Sequence, residues 1–342
     1  MPFEQFPLAA NAAIFAVAAA FVWLAGTRLA VYVDGIATAT GTGQAFIGML
    51  LLGGITSLPE IATVTSASWT GSASLAVNNL LGSAAANVLL LAVADAVLGH
   101  DALTSVVAKP STLLQGTLGM MLLGMVAAAV VAGDILVFGV GAWSAALLAA
   151  CIGALWLSSD YESRHVWTAA TRDGVDKDEP ETPEQPLRTL ALKTAAAAAV
   201  ILVAGFFLAQ TGDAIAKQSG LGAGLVGLVL MAFATSLPEI SSIVSALRLH
   251  RYEMAVGDIF GTNLFNIALL FIADLSYGGG PVLSEAGAFE AVAGLLALLL
   301  TGVFVLGLLE RRDRTVLRMG YDSLAALVLY AAGLAVLYPL AQ

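Results

Sequence analysis

Two glutamates, Glu60 and Glu239, each lie in the middle of a long apolar stretch, and each ends the same pentapeptide, Thr-Ser-Leu-Pro-Glu. If the stretch crosses a bilayer, an ionised carboxylate there costs at least ~2.5 kcal/mol unless it is paired, protonated or bound to a cation. None of the 14 Lys and Arg residues falls in the central part of a predicted span. We therefore expect the two glutamates to bind metal ions or protons.

The residues beside each glutamate supply further oxygen atoms. Pro59 and Pro238 lack a backbone N–H and clash with the carbonyl four residues earlier, which predicts that the helix kinks or unwinds just before the acid. Carbonyl groups near Gly53 and Ala232 would then turn inward as ligands. An all-oxygen set of this kind suits hard cations such as Ca²⁺ and Na⁺, although each nearby hydroxyl could instead bond to its own helix. The nearby hydroxyls are those of Thr56, Ser57, Thr235 and Ser236.

The next helix of each copy carries a second polar stripe. Ser83 and Asn87 are four residues apart, as are Thr262 and Asn266, so each pair lies on one helical face that can point at the glutamate. Such residues also join transmembrane helices to one another. Their repetition beside both acids favours the interpretation that they are cation ligands.

The composition indicates which elements must position these residues. Of the 342 residues, 59% are hydrophobic and 11% are charged, and the mean hydropathy is +0.91, which leaves too much apolar surface for a water-soluble fold. About 20 apolar residues span a bilayer as a helix, and the long Ala, Leu, Val and Gly runs lack the alternation of barrel strands. We predict an all-α integral membrane protein with ten transmembrane helices. The predicted spans are about 8–27, 43–68, 73–98, 112–132, 135–158, 188–211, 221–248, 252–276, 285–308 and 317–340.

Basic residues mark the predicted cytoplasmic loops. Thirteen of the 14 Lys and Arg residues fall at alternate junctions between spans, and Lys217 alone falls on the other side. Both termini are therefore predicted outside, and the second half is inserted upside down because each half has five spans. Eight acids and three basic residues lie between Asp160 and Glu184, so half of the net charge of −10 belongs to a predicted cytoplasmic loop. The predicted divisions are a first five-helix repeat over 1–158, an acidic linker over 159–187 and a second five-helix repeat over 188–342.

An internal repeat relates the two halves. When Glu60 is aligned with Glu239, the stretch from Asp34 to Asp95 superposes on that from Asp213 to Asp274 without a gap, with Pro, Glu, Asn and Asp matching in register. Inverted repeats in transporters place the substrate site near the bilayer midplane, at the interface of the repeats. We expect Glu60 to lie in such a site with its counterpart. The aspartates that end their helices in both repeats, at 95 and 274, are expected to be structural or interfacial.

These motifs resemble those of the cation/calcium antiporter superfamily, and specifically of the prokaryotic type in its sodium/calcium exchanger branch. That family carries two alpha repeats, each with a Gly-Thr-Ser-x-Pro-Glu element and a Gly-Asn-x-x-Gly-Ser-Asn-x-x-Asn-like element. Here the first element is found at 54–60 and 234–239 and the second at 78–87 and 257–266. The resemblance implies that the first and sixth spans slide over the others to alternate access. It also implies that Glu60 and Glu239 bind Ca²⁺ and share a Na⁺ site, which Thr56, Ser57, Ser83, Asn87, Thr235, Ser236, Thr262 and Asn266 complete.

Four positions depart from the family pattern. Ile55 and Ala234 replace the motif glycine, so the bend is expected to be tighter or differently placed. Asn266 stands where potassium-dependent relatives carry Asp, so potassium dependence is not expected. Asp258 replaces the Asn that the first copy keeps as Asn79. Two interpretations of Asp258 stay open, an additional acid in the inner vestibule or a solvated interfacial residue.

The charge of the two glutamates suggests how the protein works. One Ca²⁺ or several Na⁺ can neutralise a charge of −2, so the two ions would compete for one alternately exposed site. We expect a secondary active antiporter of the plasma (inner) membrane, not an enzyme, that exchanges Ca²⁺ for Na⁺. The alternative is a proton/calcium or other divalent cation antiporter that uses the same glutamates, although protons need no hydroxyl ligands. An aspartyl-type membrane protease would need aspartates, and a channel is a further possibility.

The remaining features point to few partners. Beyond Ca²⁺, Na⁺ and the lipid bilayer, we expect no cofactor, no nucleic acid and no obligate protein partner. The single cysteine, Cys151, cannot form a disulfide within one chain. The acidic loop lacks the glycine-centred spacing of an EF-hand and is expected to be a solvated linker. The N-terminus lacks the basic region of a cleaved signal peptide, so the first apolar stretch is expected to remain as a span.

Overall fold

The computed structural model describes most of the chain. The predictions for Gly53 and Thr56, and for most of the linker, lie outside the described residues. Within them the protein is mostly helical, as predicted, and it also contains two short antiparallel hairpins that were not predicted. The described residues are 2–40, 57–98, 102–107, 110–163, 186–248, 252–311, 315–316 and 318–341.

The first half consists of helices and one hairpin, after a short 3₁₀ helix at Pro2–Gln5. The first glutamate lies in the second helix, and the stripe of Ser83 and Asn87 lies in the third. The elements are α1 (Leu8–Thr40), α2 (Leu58–Trp69), α3 (Ala73–Leu98), α4 (Leu103–Val106), α5 (Pro110–Ala132), β1 (Leu136–Val137), β2 (Val140–Gly141) and α6 (Ala142–Ser163).

The second half repeats this order in the same register that aligns Glu60 with Glu239. Leu187 starts the helix that corresponds to α1, and the strands of the two hairpins correspond residue by residue. The duplication therefore extends beyond the stretch over which the residues themselves match. The elements are α7 (Leu187–Ser219), α8 (Gly222–Leu225), a π-helix (Val226–Met231), α9 (Ala232–Thr235), α10 (Leu237–Arg248), α11 (Tyr252–Ser276), a 3₁₀ turn (Val282–Ser284), α12 (Ala288–Glu310), β3 (Thr315–Val316), β4 (Met319–Gly320), α13 (Tyr321–Leu337) and a 3₁₀ turn (Tyr338–Ala341).

The helices identify a multi-pass membrane protein. Seven stretches within the described residues are long and apolar enough to cross a bilayer. The number rises to eight if the bent pair Gly222–Thr235 and Leu237–Val244 forms one span. Helix α6 adds a shorter apolar stretch at Ala142–Ser158, and α2 is the described part of the second predicted span. The described residues thus contain seven or eight candidate spans, and the count of ten stays a prediction.

The observed helix boundaries differ from the predicted span boundaries in two ways. Helices α1 and α7 have 33 residues each, roughly 50 Å, and continue well past the apolar parts predicted at 8–27 and 188–211. The spans predicted from 135 and from 317 begin as hairpins, and the helices start only at Ala142 and Tyr321. The first hairpin has the hydropathy of a span, but it reverses direction at Phe138 and Gly139, whose φ angles are 51° and 88°. Hydropathy alone does not distinguish an apolar hairpin from the start of a membrane-spanning helix.

Helix α3 lies at the centre of the molecule. Protein covers 83% of its most apolar window, against 22% for α1 and for α7, so α1 and α7 form much of the outer surface. Helix α3 contacts α12 and α13, and its counterpart α11 makes the equivalent contacts with α5 and α6. Helices α1 and α7 pack along each other, and they also contact α10 and α2, respectively. These reciprocal contacts interlock the two halves around α3 and α11.

A close approach joins α3 to the π-helix. Gly82 faces Leu228, and a Cβ atom at Gly82 would overlap the carbonyl oxygen and the Cα atom of that residue. Gly227 makes a second close contact, since a Cβ there would lie 2.8 Å from the carbonyl oxygen of Leu75. Glycine at both positions therefore lets the central helix of the first half reach the interrupted span of the second.

Candidate functional site

The second pentapeptide interrupts its span. The π-helix is followed by one turn of α-helix, after which Ser236 leaves the helix with φ −83° and ψ 8°. The chain bends by 44° at this break. Pro238 explains the position of the break, because it has no N–H to donate and its ring would meet the carbonyl of Ala234. Glu239 follows at once, in the first turn of α10.

The described part of the first pentapeptide has the same conformation. Ser57 has φ −81° and ψ 7°, and α2 begins at the next residue with Pro59 in its first turn. Glu60 again lies in the first turn of the new helix. Both glutamates therefore lie in the first turn of a helix that begins at the leucine before the proline, and for Glu239 the described residues also include the break that Pro238 predicts.

The carbonyl of Ala232, a predicted ligand, already has partners. It accepts a hydrogen bond from the backbone N–H of Ser236 over 3.0 Å and another from the hydroxyl of Thr235 over 3.2 Å. The helical hydrogen bonds of α9 are thus intact at this residue. Pro238 interrupts the backbone hydrogen-bonding pattern only further along the chain. A ligand role for Ala232 stays a prediction that would require these bonds to open.

The two glutamates are fully enclosed. Glu60 and Glu239 are each 0% exposed, and none of their four carboxylate oxygens makes a hydrogen bond to a described residue. The hydroxyl groups of Ser83 and Thr235 lie beside the Glu60 carboxyl group. Glu239 is close enough to Glu60 and to Asp258 to interact with both electrostatically.

The predicted ligands contribute most of the unpaired buried polar atoms. Eighteen buried side-chain nitrogen and oxygen atoms of the described residues have no hydrogen-bond partner, and ten of them belong to predicted site residues. Burying a polar atom without a partner costs several kcal/mol in lipid, and binding of a cation or a proton by the oxygen atoms would offset this cost. The ten atoms are Ser57 Oγ, Glu60 Oε1 and Oε2, Asn87 Oδ1, Ser236 Oγ, Glu239 Oε1 and Oε2, Thr262 Oγ1, and Asn266 Oδ1 and Nδ2.

Three further polar residues of this region are not among the predicted site residues, namely Thr63, Asn79 and Asn263. Asn79 donates to the Thr63 hydroxyl over 2.8 Å, and its Oδ1 atom accepts from Thr235 over 3.4 Å. Asn263 accepts from Asn87 over 2.9 Å and donates to a backbone carbonyl of α3 over 3.0 Å. Both asparagines lie in the second motif, so their polarity within apolar helices was the available signal. They bind the two halves together around the unpaired oxygens.

Asp258 lies next to this cluster. Its Oδ2 atom accepts a hydrogen bond from the Ser242 hydroxyl over 2.7 Å, and the side chain is only partly exposed. The Ser242 hydroxyl is also 3.0 Å from the carbonyl oxygen of Glu239. Asp258 therefore packs against the helix that carries the second glutamate.

Asp95 and Asp274 make reciprocal contacts between the halves. Asp95 accepts hydrogen bonds from the backbone N–H groups of Leu103 and Gly320, both over 2.6 Å. Asp274 accepts from Val282 over 2.6 Å and from Gly141, so each aspartate binds the hairpin of the opposite half. This geometry supports the structural role expected for both.

Two curated proteins are similar to this chain over most of its length. The inner membrane protein YrbG of Escherichia coli strain K12 is 28% identical over 255 residues, which cover 74% of this chain and 73% of that protein. A protein of Alkalimonas amylolytica with the name "Putative antiporter CaxA" is 28% identical over 277 residues, or 78% of this chain and 82% of that protein.

Solved structures share the fold. The sodium-calcium exchanger NCX_Mj, soaked with 10 mM Na⁺ and zero Ca²⁺, has a TM-score of 0.61 at 19% identity and covers 97% of this chain and 100% of its own. The H⁺/Ca²⁺ exchanger CAX has a TM-score of 0.64 at 13% identity and covers 98% of this chain and 87% of its own. The sequence model of one family, "Sodium/calcium exchanger protein", matches the chain twice, over residues 10–158 and 190–338. Because these matches include most of both halves, the chain belongs to the sodium/calcium exchanger protein family.

Proposed function

We propose that the protein is a secondary active antiporter that exchanges Ca²⁺ for Na⁺ at one site formed by Glu60 and Glu239. The observation that carries the proposal is that ten buried atoms of the predicted site residues, including all four carboxylate oxygens, have no hydrogen-bond partner. Carboxylate, hydroxyl and amide oxygens are the ligands of hard cations, and no sulfur or imidazole group is among these residues.

The charge of the site explains exchange rather than one-way binding. Two ionised glutamates have a charge of −2, which one Ca²⁺ neutralises and which more than one Na⁺ is needed to neutralise. Leaving either carboxylate ionised and unpaired in the bilayer is unfavourable. The binding site is therefore expected to change the side of the membrane to which it opens only after one kind of ion has replaced the other. This condition couples the two fluxes.

The contacts of α1 and α7 support a mechanism of alternating access. These two helices pack along each other at the outer surface. Gly26 of α1 lies against the side chain of Pro238, and Gly205 of α7 lies against Ala62, which follows the first glutamate by two residues. A sliding movement of this pair would pass directly over both pentapeptides. We propose that this movement opens the site to one side of the membrane and then to the other.

We further propose the full architecture that this mechanism requires. Ten spans would form two inverted five-helix repeats, 1–158 and 188–342, joined by the acidic cytoplasmic linker 159–187. Both termini would lie outside the plasma membrane. The two family matches and the common element order of the halves support this division. The remaining predicted ligands, Gly53 and Thr56, would complete the first half of the site.

Proton/calcium exchange is the second candidate function. Carboxylates without hydrogen-bond partners can take up protons as well as cations, and the fold is shared with both NCX_Mj and CAX. The unpaired hydroxyl oxygens favour Na⁺, because a protonated glutamate needs no such ligands.

Flux measurements in liposomes distinguish the two counter-ions. Purified full-length protein is reconstituted, and Ca²⁺ uptake is followed with either a Na⁺ gradient at equal pH or a pH gradient without Na⁺. We expect uptake with the outward Na⁺ gradient and none with the pH gradient alone. Uptake driven by the pH gradient without Na⁺ would reject the Na⁺ proposal in favour of the proton alternative.

A further inference from the structure

The two halves differ in charge at one pair of equivalent positions beside the site. In the register that aligns Glu60 with Glu239, Asp258 in α11 corresponds to Asn79 in α3, and Ser242 corresponds to Thr63. The second half thus has an acid where the first half has a neutral amide. Apart from this difference in charge, the pair Asn79 and Thr63 and the pair Asp258 and Ser242 occupy equivalent positions in the two halves.

Each of these side chains is held by the helix that follows the pentapeptide of its own half. Asn79 donates to Thr63 over 2.8 Å, and Ser242 donates to Asp258 over 2.7 Å. The Ser242 hydroxyl also lies 3.0 Å from the carbonyl oxygen of Glu239. The same scaffold therefore positions an amide in the first half and a carboxylate in the second.

Glu239 shows where this extra charge would act. Its two carboxylate oxygens are unpaired and fully buried, and it interacts electrostatically with both Glu60 and Asp258. Among the described residues, no three acidic, histidine or cysteine side chains converge into one metal-binding group. The charge of Asp258 acts from beside Glu239.

We infer that Asp258 is a specificity-determining residue whose charge strengthens cation binding at Glu239 and favours divalent over monovalent ions. This inference rests on the proposed function of the same site. The Coulomb energy of an ion is proportional to its charge, so one added negative charge changes the logarithm of the affinity twice as much for Ca²⁺ as for Na⁺. Asp258 also lies between the proposed cytoplasmic end of α11 and Thr262, on the route of an ion from that side.

Equilibrium binding to the purified full-length protein in detergent tests the inference without any flux. Ca²⁺ is titrated alone, and Na⁺ affinity is obtained from its competition with Ca²⁺. For Asp258→Asn we expect the Na⁺ affinity to fall about fivefold and the Ca²⁺ affinity to fall about twenty-five-fold. Asp258→Glu keeps the charge and is expected to keep both affinities close to those of the wild type.

A charge-exchange variant separates the electrostatic role from a structural one. The double variant Asn79→Asp with Asp258→Asn moves the acid to the equivalent position of the first half. We expect it to recover most of the lost Ca²⁺ affinity. Equal losses for Ca²⁺ and Na⁺ in Asp258→Asn, unchanged affinities, or a double variant as weak as Asp258→Asn would each overturn the inference.

A single variant keeps the test decisive if Asp258→Asn is unstable. Asn79→Asp adds a charge without removing one, and it should tighten Ca²⁺ binding more than Na⁺ binding. No such difference would contradict the inference. Failure of the wild type to bind Ca²⁺ would reject the proposed function and this inference together. Binding by the wild type with unaltered affinities in Asp258→Asn would reject this inference alone.

Discussion

The hydroxyl of Ser83 in α3 lies 3.2 Å from the hydroxyl of Thr235 in the second pentapeptide. The polar stripe of one half therefore touches the interrupted helix of the other half, and both hydroxyls lie beside Glu60. Because the site contains groups from both halves, any movement of one half relative to the other changes the distances between its oxygen atoms. This relationship connects the fold to the proposed exchange.

Neutralising either glutamate should abolish Ca²⁺ exchange. Glu60→Gln and Glu239→Gln each remove one negative charge and replace one oxygen by an amide nitrogen, which repels a cation. We expect Na⁺-driven Ca²⁺ uptake in liposomes to fall at least about 100-fold, since loss of one buried charge interaction exceeds ~2.7 kcal/mol at an effective dielectric of 20 over short distances.

A third buried acid provides the matched control for these variants. Glu290 is only 5% exposed, but its carboxylate accepts hydrogen bonds from Ser74, from Asn78 and from the backbone of Gly287. We expect Glu290→Gln to retain Ca²⁺ uptake per folded molecule. Uptake at the wild-type rate in Glu60→Gln or Glu239→Gln would refute the assignment of the site.

The reciprocal aspartates should contribute to stability rather than to transport. Asp95→Asn leaves one acceptor oxygen for two backbone donors, those of Leu103 and Gly320, and an unsatisfied buried donor costs about 1–3 kcal/mol. The thermal midpoint in detergent should fall, and Asp274→Asn should behave in the same way. Ca²⁺ uptake per folded molecule should be retained. The exposed Glu285→Gln serves as control, and an equal midpoint for all three variants would argue against reciprocal attachment of the hairpins.

Gly82 should tolerate no side chain. A Cβ atom there would overlap backbone atoms of Leu228 and would lie 2.7 Å from the Cβ of Ala232, so Gly82→Ala must push the π-helix away from α3. We expect a loss of about 1–3 kcal/mol of stability, as in other overpacked cores, together with weaker Ca²⁺ binding. Gly153→Ala is the control, because no atom lies within 4 Å of its added Cβ. Similar melting temperatures for the two variants would contradict the close approach.

An ion pair should attach the N-terminal 3₁₀ helix to α7 in a pH-dependent way. Lys217 Nζ lies 2.6 Å from Glu4 Oε1 and 2.8 Å from Asp213 Oδ2. The hydrogen bond from Lys217 holds the pKa of the Glu4 carboxyl group below its usual value. A lowered carboxyl pKa means that this attachment is complete above the usual Glu pKa and is lost as the pH falls through the lowered value.

Spin-label mobility measures this attachment. With a label at Gln5 and the buried Cys151 left unlabelled, we expect low mobility at neutral pH and rising mobility as the solution becomes acidic. Lys217→Met should be mobile at every pH. A label that is equally immobile in both proteins at neutral pH would show that the ion pair does not hold this segment.

Much of the candidate site was predictable because its residues are polar or helix-breaking and lie within apolar, membrane-spanning stretches. A glutamate, a proline and spaced Ser, Thr and Asn residues within apolar helices all require an explanation, and the repeat doubled each signal. The asparagines at 79 and 263 were not assigned, because their contacts cross between halves that are far apart in sequence. The first hairpin was missed because Phe138 and its neighbours are as apolar as a span.

The position of the helix break before Glu239 was predicted, but the conformation of the chain there was not. Proline chemistry located it before Glu239, whereas the π-helix depends on packing against α3 at Gly82, which no local pattern encodes. The reciprocal bonds of Asp95 and Asp274 were equally hidden, since each partner lies in a distant hairpin. Local chemistry thus led to the predicted ligands, whose role stays a prediction, and tertiary contacts determine how these side chains are held.

Competition between Ca²⁺ and Na⁺ for equilibrium binding tests the central claim most directly. Purified wild-type protein in detergent is equilibrated with radioactive Ca²⁺, and Na⁺ is added at constant ionic strength with choline as the replacement ion. A single site formed by Glu60 and Glu239 predicts that Na⁺ displaces Ca²⁺ completely and competitively, and that Glu60→Gln and Glu239→Gln bind no Ca²⁺ in the same range. Ca²⁺ binding that is unaffected by saturating Na⁺, or that persists in both variants, would contradict the account.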